Sequence, residues 1–95
     1  MLLDPDVALF FNSADEAIVY ENIKFWVERN RIKNINYYDG CYWMYNTYES
    51  FAAQFKFFSV WKIRRIIRKL LKAKLIKKGR FNRRKYDCTN WYAMY

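Results

Sequence analysis

Ninety-five residues make one domain with one core and leave no room for a second independently folding unit. With 54% hydrophobic and 22% aromatic residues, two Gly and one Pro, the chain has core material and little for linkers, which excludes disorder as its main state. A net charge of +9 and a complete lack of histidine point to a polyanionic partner and remove the commonest general base with every Ser-His or Cys-His nucleophile pair, so no enzyme is expected.

Asp4 and Pro5 offer an N-cap and an N1 proline, which predicts a short helix over 5–11. Ser13-Ala-Asp-Glu16 has the spacing of a capping box, and Ala17, Val19, Tyr20, Ile23, Trp26 and Val27 follow at helical spacing, predicting a helix to about Asn30. Ile18, Asn22 and Phe25 lie on a second stripe of that helix. It is expected to be covered by the short N-terminal helix, the functional alternative being a homodimer or partner-protein face.

Residues 31–40 lack helical periodicity and read as a loop closing in the turn dipeptide Asp39-Gly40, ahead of an aromatic strand over 41–45. Asn46-Thr-Tyr-Glu49 reads as a second helix start, with the helix running to about Gln54. After the break at Phe55-Lys-Phe-Phe58, Ser59 is a third N-cap. Two helices about four residues apart have helix-turn-helix spacing.

From Val60 to about Lys74, a turn of 100° per residue gathers Ile63, Ile66, Ile67, Leu70 and Leu71 on one arc. Trp61, Arg65, Arg68 and Lys72 fall opposite, with Lys62, Arg64 and Lys69 on the flanks. Leu75 to Lys78 reads as a strand, Gly79 to Tyr86 as a basic loop that Gly79 helps to turn, and Cys88 to Tyr95 as a returning strand. The order is that of a winged helix-turn-helix, an α+β single domain of about four helices, a short strand and a C-terminal β-hairpin wing.

Charge sharpens that reading. Residues 1–50 carry −4 and residues 51–95 carry +13, with twelve cations between Lys62 and Arg84. In a balanced protein such a run is a solvated face, but here there is almost no compensating acid, and phosphates relieve the self-repulsion. In a winged helix the second helix of the pair enters the major groove of duplex DNA by its N-terminal turns, since a helix ~10–12 Å across fits a groove ~12 Å wide.

The expected DNA-binding residues are accordingly Ser59, Trp61, Lys62, Arg64, Arg65, Arg68 and Lys69 on the recognition helix, and Lys78, Arg80, Arg83, Arg84 and Lys85 on the wing. Arg65 is the first choice for a base contact. Trp61 either packs on a thymine methyl or deoxyribose, or closes the turn against Phe57 or Phe58. Trp26, Trp43, Trp91, Tyr42 and Tyr92 are expected in the core rather than as stacking platforms.

No apolar run approaches the ~18–20 residues that cross a bilayer, and Met1-Leu2-Leu3-Asp4-Pro5-Asp6 lacks the basic and apolar regions of a signal peptide. A soluble, cytoplasmic protein without a membrane partner is expected. Cys41 and Cys88 make no zinc site without histidine and are expected as buried free thiols rather than a bridge. No metal, cofactor or small-molecule substrate is expected.

Several stretches together resemble the winged-helix DNA-binding domain of phage replication proteins, of the replisome-organiser or replication-initiator type. They are Asp15-Glu-Ala-Ile-Val19 leading to Phe25-Trp26, Asp39-Gly-Cys-Tyr-Trp43, Tyr45-Asn-Thr-Tyr-Glu49, Phe55-Lys-Phe-Phe-Ser59, Ile63-Arg-Arg-Ile-Ile67, Leu75-Ile76 and Asp87-Cys-Thr-Asn-Trp-Tyr92. The resemblance implies duplex DNA binding at a replication origin, with recruitment of a helicase or its loader. It maps the recognition helix to 59–72 and the wing to 78–85. Such proteins usually continue into a linker and a partner-binding region, whereas this sequence stops at Tyr95, where the last strand of the wing is expected to end. Rival expectations are a protein-interaction module that binds a host protein, and a transcription regulator.

Overall fold

The computed structural model describes residues 14–87 and 89–95, which form a small α+β domain with three helices and antiparallel sheets. The helix expected over 5–11 lies outside the described residues. Helix α1, Ala14–Lys33, has Asp15 and Glu16 in its first turn and Arg31 and Lys33 in its last, each sign favoured at its end of the helix dipole. It runs one turn beyond the expected stop at Asn30. The residue that ends it is Asn34, which takes the left-handed conformation (φ 56°) while Ile35 N donates to Asn30 O at 3.0 Å, a closure that asparagine tolerates well. Asn30 is instead buried, its side-chain amide donating to Trp43 O at 2.8 Å.

Ala17, Val19, Tyr20, Ile23 and Val27 form the buried face of α1 as expected, but Trp26 does not join them. It sits at the rim of the arc and is 38% exposed.

Strand β1, Tyr37–Tyr38, lies where a loop was expected and forms a hairpin with β2, Cys41–Tyr42, at the start of the expected strand. Asp39 and Gly40 both have positive φ, 51° and 75°, as a two-residue hairpin turn matched to the twist of its strands requires. The single strand expected over 41–45 is split at Trp43, and its second part, β3 (Met44–Asn46), pairs with another sheet.

Helix α2, Tyr48–Gln54, starts at Thr47, whose hydroxyl accepts from Ser50 N at 3.0 Å. Asn46, placed at the cap by sequence, instead accepts from Thr47 N through its side chain. Helix α3, Val60–Lys72, is capped by Ser59, which accepts from Lys62 N at 3.1 Å. It ends where Lys74 turns left-handed (φ 60°) and Leu75 N returns to Leu70 O at 3.1 Å.

The chain then forms β4, Ile76–Gly79, and β5, Asn90–Met94, which complete a three-stranded antiparallel sheet in the order β3-β5-β4. Met44 lies opposite Tyr92, and Lys78 opposite Tyr92 on the other side; Tyr45 and Gly79 likewise flank Trp91. Strand side chains alternate, so Met44, Tyr92 and Ile76 face α1 and α3, where they meet Ile23, Ile63, Ile67 and Leu70 in the main core. Burying each of these large side chains contributes roughly 1.5–3 kcal/mol. A second, aromatic core of Trp43, Trp91 and Ala93, with Phe81 against it, occupies the other face.

Gly79 lies within β4 with no positive φ, so it does not serve the turn expected of it. A Cβ there falls 2.9 Å from Phe81 Cε2 and 3.1 Å from Trp43 Cη2. Its missing side chain is the space into which those two rings pack.

Candidate nucleic-acid interface

The helical arc inferred for α3 is the one observed. Ile63, Ile66, Ile67 and Leu70 are buried and Leu71 is half-buried, while Trp61, Arg64, Arg65, Arg68 and Lys72 are exposed. Trp61, 68% exposed, does not close the turn against Phe57 or Phe58; the Arg65 guanidinium lies 5.2 Å from its ring centroid.

The two flanks of α3 differ. Lys62 Nζ bonds Asp15 Oδ2 at 2.5 Å and Lys69 Nζ bonds Glu16 Oε1 at 3.0 Å, so these two cations tie α3 to the first turn of α1. On the other flank Arg64 lies over the Tyr48 ring at 5.7 Å. There it shares a concavity of about 510 Å³ with Lys78 of β4 and Arg80 of the β4–β5 loop. Glu49 and Asp87 also line that space, so its positive lining is locally tempered.

Arg80, Arg83, Arg84 and Lys85 are all exposed on the β4–β5 loop. Two neighbours that carry no charge hold the loop in place. Phe81 stacks on Tyr38 at 4.8 Å and meets Trp43 at 4.9 Å and Trp91 at 5.7 Å. Asn82 donates to Thr89 O at 2.8 Å and Asp87 O at 3.0 Å and accepts from Trp91 Nε1 at 2.7 Å. Further along, Thr89 N and Oγ1 donate to Asp87 Oδ1 at 3.0 and 2.7 Å, which holds the Asp87 carboxyl below its ordinary value. Sequence reasoning passed over Phe81 and Asn82; the only signal was one aromatic and one amide inside an otherwise cationic run.

The stripe proposed as a partner face is uneven. Ile18 and Asn22 are half-buried, whereas Phe25 is 55% exposed and meets Trp26 edge-on at 5.4 Å. Cys41 is a half-buried free thiol whose sulfur accepts from Lys77 Nζ at 3.4 Å; Cys88 lies outside the described residues. Among the described residues no helix is long and apolar enough to cross a membrane.

Searches of protein-family models, of curated proteins and of solved structures find no match to this chain.

Proposed function

We propose that the chain is a winged-helix protein that binds duplex DNA without catalysing a reaction. Helix α3 enters the major groove, and the β4–β5 loop acts as the wing on the adjacent backbone or minor groove. The element order α1, β3, α2, α3, β4, β5 with the sheet order β3-β5-β4 fits such a module. The observation that carries the reading is that Arg64, Lys78 and Arg80, from a helix, a strand and a loop, line one concavity beside the exposed Arg65 and Arg68 face. Cations from three elements on one side suit a backbone that passes from the groove to the wing.

The test is binding of a labelled duplex by fluorescence anisotropy over a range of salt. With roughly 5–8 phosphates neutralised, log K falls against log[salt] with a slope of about −0.9 per phosphate. Replacing Arg83 and Arg84 by Ala flattens the slope by about 1–2; an unchanged slope removes the wing from the site, and absence of duplex binding in dilute buffer ends the reading. Action at a replication origin, with a helicase or its loader as partner, is the narrower form of this proposal, and transcriptional regulation shares its DNA chemistry. The exposed ring of Phe25 favours a second reading, a protein-docking role for α1. It is tested by whether Ile18→Ser with Phe25→Ser abolishes self-association or partner capture while sparing duplex binding.

A further inference from the structure

The sheet has a second face, whose aromatic rings the duplex reading leaves unused although it shares the wing cations Arg83 and Arg84. By register and alternation, Lys78, Met44 and Tyr92 point toward the helices, whereas Tyr45, Trp91 and Gly79 point away from them. On that outer side Tyr38, Tyr45 and Trp91 line a concavity of about 460 Å³ whose lining also includes Arg83 and Arg84. Trp91 is nearly buried and forms the floor. The Tyr45 ring meets it tilted at 4.8 Å and the Tyr38 ring meets it edge-on at 5.7 Å. Both tyrosines remain open to solvent, at 56% and 43% exposure. The floor is set in place before any ligand arrives, because Asn82 accepts the Trp91 indole N–H and Phe81 stacks on Tyr38.

We infer that this pocket binds single-stranded nucleic acid, stacking an unpaired base against Tyr45 and Tyr38 while Arg83 and Arg84 meet its phosphates. Exposed aromatic faces beside guanidinium groups are the combination that holds a single strand, since every base has a π-face and every nucleotide a negative charge. A paired base presents only its edges, so stacking of this kind requires an unpaired one. An apolar protein segment would meet two guanidinium groups and the Asp87 carboxylate at the same opening, which is poor complementarity for it.

The position of the pocket gives the inference its consequence. Asp87 and Thr89 line both this concavity and the one holding Arg64, Lys78 and Arg80, so the β4–β5 loop stands between the two. Resting on the duplex reading, the pocket makes the protein a reader of junctions, with the double helix on the helical side of the sheet and the emerging strand on the other.

The test compares three labelled probes by anisotropy: a blunt duplex of about 20 base pairs, the same duplex with a tail of about ten thymidines at either end, and the thymidine strand alone. One tail polarity binds about 5- to 30-fold tighter than the blunt duplex. Tyr45→Ala removes that advantage and leaves blunt-duplex affinity within about twofold, Tyr45→Phe keeps it, and Tyr38→Ala behaves as Tyr45→Ala. Tyr45 is a mostly exposed side chain, so its variant reports on the pocket even if Tyr38→Ala disturbs the β1–β2 hairpin; thermal melting of each variant identifies such a disturbance. Equal affinity for tailed and blunt duplexes, or a tail advantage that survives Tyr45→Ala, overturns the inference. Binding of the thymidine strand that depends on Tyr45, with no binding of the blunt duplex, upholds the pocket and overturns the duplex reading instead.

Discussion

The Trp91 indole nitrogen donates to the side-chain oxygen of Asn82 at 2.7 Å, and the amide nitrogen of the same Asn82 holds the carbonyls of Asp87 and Thr89. One loop side chain thereby joins the buried floor of the outer sheet face to the far end of the basic loop. Asn82→Ala leaves the buried Trp91 N–H without its acceptor, at a cost of about 1–3 kcal/mol. Asn82→Asp keeps an acceptor for Trp91 but loses both donors to the backbone. Amide exchange over 83–89 is expected to accelerate in both variants, with the larger loss of melting temperature in Asn82→Ala; protection unchanged in both would show that the loop is held by Phe81 alone.

Lys74 occupies the left-handed position that closes α3, where a side chain is strained and glycine is not. Lys74→Gly relieves that strain and is expected to stabilise the fold by up to about 1 kcal/mol, raising the melting temperature by roughly 4–8 °C. Thermal unfolding checks it. A fall instead would mean that the added freedom of the unfolded chain outweighs the relieved strain.

These two residues show what the sequence makes legible. The start and the buried face of helix α3 could be read because their signals are local: Ser59 caps it, and Ile63, Ile66, Ile67 and Leu70 repeat at its own period. Its end, expected near Lys74, falls at Lys72 because Lys74 turns left-handed. The β1–β2 hairpin could not, because two-residue strands carry no periodicity and exist only through their pairing. Phe81 and Asn82 gain their roles from rings that lie far upstream or across the hairpin, Tyr38, Trp43 and Trp91. Similarly, the wheel put Lys62 and Lys69 on a flank of α3 correctly, but their partners Asp15 and Glu16 are 47 and 53 residues away. The sequence therefore marked where cations gather without marking which of them the fold itself consumes.

Tyr92 sets the alkaline limit. It is fully buried, with the Asn90 side chain and the Tyr48 hydroxyl beside its own hydroxyl, and burial pushes its phenol well above the ordinary value. Below about pH 10 the phenol is neutral in both states and its packing contributes fully; above it the unfolded chain releases the proton that the folded chain retains, so stability falls as pH rises. Tyr92→Phe is expected to lose little at neutral pH and to flatten the decline between about pH 9 and about pH 11, read as melting temperature against pH. At the acid end the sign reverses: the lowered Asp87 value means its support is present above about pH 4 and is lost as the pH falls through that lowered value.

The split between the two flanks of α3 gives the most direct separation of structural from binding cations. Lys62 and Lys69 are paired with acids of α1, and Glu16 is largely buried, with Oε2 lacking any other partner among the described residues. Lys69→Ala strands that carboxylate and is expected to cost about 1–3 kcal/mol, while Lys62→Ala, at a more open pair, costs about 1 kcal/mol or less. Neither cation is free to displace counterions from phosphate, so both variants should keep the salt slope of duplex binding within about 0.5 of the parent. Arg64→Ala and Arg68→Ala are expected to do the opposite, each lowering the slope by about 1 with little change in melting temperature. Thermal melts and salt titrations of the four single variants decide it: a slope that drops equally in all four would mean that DNA phosphates outcompete Asp15 and Glu16, and that the acidic first turn of α1 is a displaceable guard on the helix rather than its anchor.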